Sequence, residues 1–139
     1  HSSTLDDLVR SHRSSGSSAT VLSCIMPDPT GYGRIVRDAS GAFTAIVEQK
    51  DASPEVQTIC EVNSGIYVVH SSALFEALDE VRNTNAQNEY YLTDVIGILR
   101  SKGKQVSAVS TERYEELLGI NTVQELEHAA LQLDSRIPE

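Results

Sequence analysis

The sequence predicts an α/β domain, and three observations carry that prediction. An amphipathic stretch from Leu5 to about Arg13 leads into Ala19 to Met26, a nearly continuous apolar run of the kind found in strands covered on both faces. Two strand-like segments flank Asp38-Ala39-Ser40-Gly41, which has the composition of a hairpin turn. Beyond them, segments with helical spacing alternate with short strands, and a helix leading into a buried strand is the α/β pattern.

Taken in order, Thr4 followed by Leu5, Asp6 and Asp7 has the form of a capping box, with Leu5, Leu8, Val9 and His12 on one helical face. Ser14 to Ser18 is a connecting loop with nothing to bury. Asp28-Pro29-Thr30-Gly31-Tyr32-Gly33-Arg34-Ile35-Val36-Arg37 is a shaped loop running into a strand. Pro29 restricts the backbone there, and Gly31 and Gly33 admit positive φ or a close approach to the main chain. Strands are expected over Arg34 to Arg37 and Phe43 to Gln49. The next runs from Val62 to His70, with Val62, Ile66 and Val68 on one side and Asn63, Gly65 and Tyr67 on the other.

Ser71 or Ser72 caps a helix whose Leu74, Phe75, Leu78 and Val81 form a core-facing stripe. The polar run Asn83 to Asn88 ends that helix. A new one begins near Tyr90, carries Leu92, Val95, Ile96 and Leu99 at helical spacing, and ends with Gly103 as its C-cap. Gln105 to Val109 is a short strand. After the Gly119-Ile120-Asn121 turn comes a last helix, with Thr122 as N-cap, Glu125 three residues on, and Leu126, Ala129, Ala130 and Leu133 along one face.

The chain has 139 residues and 40% hydrophobic content, enough to bury a core as one domain or as a piece of a larger one. A formal net charge of -9, with no basic cluster, excludes a sequence-independent nucleic-acid binder but not a small phosphorylated ligand. No apolar run approaches the roughly 20 residues that cross a bilayer. The polar start at His1 is unlike a signal peptide, so a soluble, cytoplasmic chain is expected. Cys24 and Cys60 sit among apolar neighbours and read as buried free thiols. His12, His70 and His128 have no partner at a metal-binding spacing.

Several polar residues stand where they can do chemistry. Glu48 closes an apolar strand, as a carboxylate that accepts sugar hydroxyls would, or as a solvent-facing strand end. Asn63 offers a donor and an acceptor among apolar neighbours, for a ligand or as a structural amide. Tyr91 and Thr93 open a helix, whose amides favour an anion or hydroxyl, or they supply a cap and aromatic packing. Asn121 suits magnesium as a neutral oxygen ligand, or serves as a turn residue.

Five stretches follow one another along the chain: Asp28 to Arg37, Ile46-Val47-Glu48-Gln49-Lys50-Asp51-Ala52, Glu61-Val62-Asn63-Ser64-Gly65-Ile66-Tyr67, Asn85-Ala86-Gln87-Asn88-Glu89-Tyr90-Tyr91-Leu92-Thr93-Asp94, and Gly119-Ile120-Asn121-Thr122. Together, over roughly Thr4 to Leu133, they resemble the uridyltransferase half of the bacterial bifunctional N-acetylglucosamine-1-phosphate uridyltransferase/glucosamine-1-phosphate acetyltransferases. The resemblance implies a partial Rossmann-like nucleotide-diphospho-sugar transferase fold, a mixed sheet with flanking helices. It also implies synthesis of UDP-N-acetylglucosamine and pyrophosphate from UTP and N-acetylglucosamine 1-phosphate.

By the same resemblance, the Gly33 backbone amide, Glu48 and Asn63 contact the N-acetylglucosamine moiety, and Glu89, Tyr91 and Thr93 line the sugar-phosphate pocket. Asn121 would share a catalytic magnesium with an Asp that has no counterpart in this chain. The glycine-rich loop Gly-x-Gly-Thr-x-Met and the hexapeptide repeats of a β-helix acetyltransferase domain also have none. Residues 1–139 are therefore expected to form the C-terminal, sugar-binding portion of a nucleotidyltransferase domain, inactive in isolation and free of nucleic-acid or membrane partners. Homo-oligomerisation stays open. So do two rivals: a sister enzyme using another hexose 1-phosphate, and a non-catalytic binding or assembly module whose uncovered sheet edge meets a partner.

Overall fold

The computed structural model describes residues 2–117 together with Val123, Leu126, Glu127 and Ala130. Helix α1 (Ser2–Ser15) leads into strand β1 (Ala19–Ile25), then β2 (Arg34–Arg37), β3 (Phe43–Val47), α2 (Pro54–Gln57), β4 (Glu61–Val69), α3 (Ser71–Leu78), α4 (Asp94–Ser101) and β5 (Val106–Thr111), followed by a 3₁₀ turn at Tyr114–Glu116. The five strands form one sheet in the order β3-β2-β4-β1-β5. β1 runs parallel to β5 and antiparallel to β4, and the β2–β3 and β2–β4 pairs are antiparallel. The sheet is mixed and flanked by helices, as expected.

Residues Ala19 to Cys24 of β1 are all buried, because the strand lies between two others and is covered by helices. Ala19 and Val21 share the main core with Ile35, Phe43, Ala73, Ala77, Val81, Val95, Ile96 and Leu99. A smaller cluster of Cys24, Met26 and Val62 packs with Tyr32, Tyr114 and Leu117. Several polar groups in the interior pair with one another: the His12 ring nitrogen Nδ1 lies 2.9 Å from Thr20 Oγ1, and Thr20 Oγ1 lies 3.0 Å from Ser107 Oγ. Arg37 grips Glu61 with two 2.8 Å hydrogen bonds, and Ser23 Oγ donates to the same carboxylate at 2.6 Å. That ion pair joins β2 to β4 and β1 where the ladder between β2 and β4 is short.

The local turn chemistry is as expected. Gly41 has φ +83° in the hairpin, where the Asp38 amide donates to Ala42 O at 2.9 Å. Gly103 has φ +72° after α4, with its amide on Arg100 O at 2.9 Å. Both positions require the left-handed region that glycine enters without strain.

Other expectations need correction. Helix α1 begins at Ser2, and Thr4 is a buried residue inside it whose hydroxyl donates to Glu116 Oε2 at 2.7 Å rather than capping. The buried line is Thr4, Leu8 and His12, while Leu5 is exposed; a partner distant in sequence outweighs the local cap. On α3, Phe75 is 66% exposed and Leu78 is also exposed, whereas Ala73, Ala77 and the following Val81 are buried. The small alanine side chains let this helix approach α4, so its apolar stripe is rotated from the core-facing one. His70 takes the N-cap position of α3 with no side-chain cap, so neither Ser71 nor Ser72 caps it.

The helix expected from Tyr90 starts only at Asp94, with Tyr90 and Leu92 exposed. Asn85 Oδ1 accepts from the amides of Gln87 and Glu89 at 3.1 and 3.2 Å, which holds the preceding segment as a loop. The short α2 was not anticipated; Ser53 caps it by accepting from Val56 N, with Pro54 in its first turn. Cys60 is exposed, unlike the buried Cys24, because it precedes β4 outside the covered part of the sheet. Asn121, Thr122, Glu125, Ala129 and Leu133 lie outside the described residues. No helix of the described residues is long and apolar enough to cross a membrane.

Candidate functional site

The loop before β2 is built by local hydrogen bonding and one buried cation. Asp28 Oδ1 accepts from Thr30 N at 3.0 Å, Tyr32 N donates to Pro29 O at 3.2 Å, and Gly31 takes φ +87°. Arg34 is 1% exposed, and its guanidinium donates to Tyr32 O and, at 2.7 Å, to Gln49 Oε1. This arginine ties the loop to the turn that follows β3. Gly33 is thereby pressed against Glu48: a Cβ at position 33 would lie 3.2 and 3.3 Å from the two Glu48 carboxylate oxygens and 3.3 Å from Ile46 Cγ2. Only glycine fits there without displacing a neighbour.

Glu48 stands one residue past β3, half-buried. Thr93 Oγ1 donates to Glu48 Oε1 at 3.0 Å across 45 positions of sequence. Thr93 holds the N-cap position of α4 but makes no capping bond, so its hydroxyl serves the carboxylate instead. Asn63 donates its backbone N–H to Gly33 O at 2.8 Å, which brings β4 alongside the same loop. Its side chain donates from Nδ2 to Tyr67 Oη at 2.7 Å and accepts from Gly65 N at 3.1 Å.

The meeting of Asn63 and Tyr67 depends on a bulge in β4. Partners advance from Val21↔Tyr67 to Ser23↔Asn63, so β4 carries two extra residues, with Gly65 at φ +77°. In a regular strand, residues four apart are about 13 Å apart along the chain; the bulge shortens that span. Burial pushes the Tyr67 phenol up, the hydrogen bond from Asn63 opposes this, and the Glu48 charge adds to the rise. The Tyr67 ring then borders an apolar cleft of about 280 Å³ with Val69, Leu74, Leu92, Val95 and Ile96.

A second group of contacts fastens the loop before α4 to the turn after Glu48. Lys50 Nζ donates to Gln87 Oε1, Gln87 Nε2 donates to Tyr91 Oη at 2.7 Å, and Ala86 N donates to Asp51 Oδ1 at 3.0 Å. Burial and the nearby Asp51 charge raise the Asp94 carboxyl. The loop is thus a strap across the end of β3.

Of the residues singled out in the sequence, Gly33 meets both Glu48 and Asn63, and Thr93 joins them through Glu48. Tyr91 and the exposed Glu89 belong to the adjoining strap. Asn121 lies outside the described residues, so no geometry is assigned to it. Sequence reasoning missed Tyr67, Lys50, Asp51 and Gln87. The signal for Tyr67 was its place four residues after Asn63 with a glycine between them; the other three had no local signal. Among the described residues, no group of three or more His, Cys, Asp or Glu converges as a metal cage would. The arrangement offers a carboxylate acceptor, an amide with one donor and one acceptor still available, and an apolar wall, a set suited to a polyhydroxyl ligand.

The sequence profile of the nucleotidyl transferase family matches residues 1–119. The chain is 49% identical over 136 residues to the bifunctional protein GlmU of Shouchella clausii, covering 98% of the chain and 30% of that protein. It is 49% identical over 138 residues to the bifunctional protein GlmU of Caldanaerobacter subterraneus subsp. tengcongensis, covering 99% of the chain and 30% of that protein. To the bifunctional protein GlmU of Bacillus subtilis it is 43% identical over 134 residues, 96% of the chain and 29% of that protein. The chain therefore spans about 30% of the length of these relatives. With the mixed sheet and flanking helices described above, the match over most of its length places the chain in the nucleotidyl transferase family.

Proposed function

We propose that the chain is the sugar-binding portion of an enzyme that makes UDP-N-acetylglucosamine and pyrophosphate from UTP and N-acetylglucosamine 1-phosphate. The observation that carries this reading is the set of contacts that joins Gly33 to both Glu48 and Asn63, and Glu48 to Thr93, beside an apolar cleft. Glu48 accepts hydrogen bonds from sugar hydroxyls, with Thr93 holding one of its oxygens. Asn63 supplies one donor and one acceptor, and the strap bearing Glu89 and Tyr91 flanks the sugar phosphate. A phosphate oxygen of the sugar attacks the α-phosphorus of UTP in line, and pyrophosphate leaves. Positioning of the reactants supplies much of the acceleration in such a displacement.

The groups that hold UTP lie outside this chain in the reading. Magnesium, when bound, would neutralise phosphate charge, held by Asn121 and a carboxylate outside the chain. The enzyme works in the cytoplasm.

Two measurements test the proposal. In the parent enzyme, Glu48→Ala or Asn63→Ala raises KM for the sugar phosphate far more than KM for UTP; equal effects on both overturn the assignment. The 139-residue chain alone shows no pyrophosphorylase activity, and turnover by the purified chain refutes the division of labour. Competition among hexose 1-phosphates separates this enzyme from a sister one with another sugar.

A further inference from the structure

The Tyr67 ring lines the cleft beside the proposed sugar site, and its hydroxyl bonds one of the proposed sugar ligands, Asn63. Asn63 is 9% exposed, and every bond it makes within the protein restricts it. Its backbone N–H is taken by Gly33 O, its Oδ1 accepts from Gly65 N at 3.1 Å, and its Nδ2 donates to Tyr67 Oη at 2.7 Å. A side-chain amide has two N–H donors and two acceptor lone pairs. One of each is therefore spent on the protein, leaving one of each for a ligand.

Which way the amide points decides which of those is offered where. Gly65 N–H can only donate, so it draws Oδ1 to its side, but Gly65 is exposed and water competes for that bond. Tyr67 is half-buried and its Oη accepts from Nδ2, so it is the anchor that water replaces less readily than the exposed Gly65 amide. Having accepted that bond, the hydroxyl keeps its own proton, and burial keeps it protonated.

We propose that Tyr67 is a positioning residue for the sugar, acting through Asn63 by fixing the orientation of its side-chain amide. This rests on the assignment of Asn63 to the sugar. The ring is a separate matter: it lines the apolar cleft with Leu74 and Leu92, and Tyr67→Phe keeps that contact while removing only the oxygen.

The test is steady-state kinetics on the parent enzyme carrying Tyr67→Phe, Asn63→Ala, or both. Loss of one anchoring hydrogen bond predicts that Tyr67→Phe raises KM for N-acetylglucosamine 1-phosphate about five- to tenfold and leaves KM for UTP unchanged. In the Asn63→Ala background the same substitution adds nothing, because the group it orients is gone. A Tyr67→Phe enzyme with unaltered sugar-phosphate KM, or one whose effect simply adds to that of Asn63→Ala, overturns the inference while the sugar site stands. If Asn63→Ala itself has no selective effect on the sugar phosphate, the underlying assignment fails instead.

Discussion

Thr93→Val removes the one oxygen that holds the Glu48 carboxylate from across the chain. The side chain keeps its shape, and what is lost is the 3.0 Å hydrogen bond from Oγ1 to Glu48 Oε1. A hydrogen bond to an ionised acceptor contributes about 1.5–3 kcal/mol when fully buried. Glu48 is half-buried, so water recovers part of this and about 1 kcal/mol remains. That corresponds to roughly fivefold weaker binding of any ligand that needs the carboxylate in place. The same bond holds the fold together, so its loss also lowers stability by about 1 kcal/mol, or roughly 3 °C for a chain of 139 residues. Thr93 makes no capping bond, so no further loss at the helix terminus is added. Pyrophosphate release measured against each substrate in the parent enzyme, with a thermal melt followed by circular dichroism, reads both quantities. A lowered melting temperature with KM for the sugar phosphate unchanged, which would make the bond structural only, would refute the reasoning.

Gly33→Ala places a methyl group 3.2–3.3 Å from the Glu48 oxygens and Ile46 Cγ2; it displaces the carboxylate by a few tenths of an ångström and raises sugar-phosphate KM severalfold, with kcat/KM for UTP as the control. His12 is held below its ordinary pKa of 6.5 by burial first, then by His70, whose ring centroid lies 5.1 Å away, and by Arg13. The unfolded chain therefore takes up the proton first, and stability declines as pH falls through about 6.5 toward the lower folded value. Urea midpoints between pH 8 and pH 5 should show the decline, and His12→Gln should flatten it. Alkylation at pH 8 distinguishes the two cysteines: exposed Cys60 reacts promptly, whereas burial and then the Glu61 charge push the Cys24 thiol up to about 11, so one equivalent of label goes in quickly and the second only on unfolding.

The α/β class, the hairpin around Asp38 to Gly41, the glycine stop after α4 and the near-continuous burial of β1 were all legible in the sequence. Each depends on interactions within a few residues: periodicity, a positive φ that glycine tolerates, an amide that needs a nearby acceptor. Glu48 and Asn63 were legible as candidates because a polar residue at the end of or within an apolar strand is conspicuous. Their meeting was not. It required a strand order of β3-β2-β4-β1-β5, a bulge at Gly65, and a threonine 45 positions away that gives up its cap for a carboxylate. The same holds for Thr4, whose partner Glu116 is 112 positions distant, and for α3, whose alanine face rather than its phenylalanine faces the core. Local propensity sets which elements form; which side chains share a site is decided only when packing and the pairing of buried polar groups choose among faces and registers that the local pattern leaves nearly equal in energy.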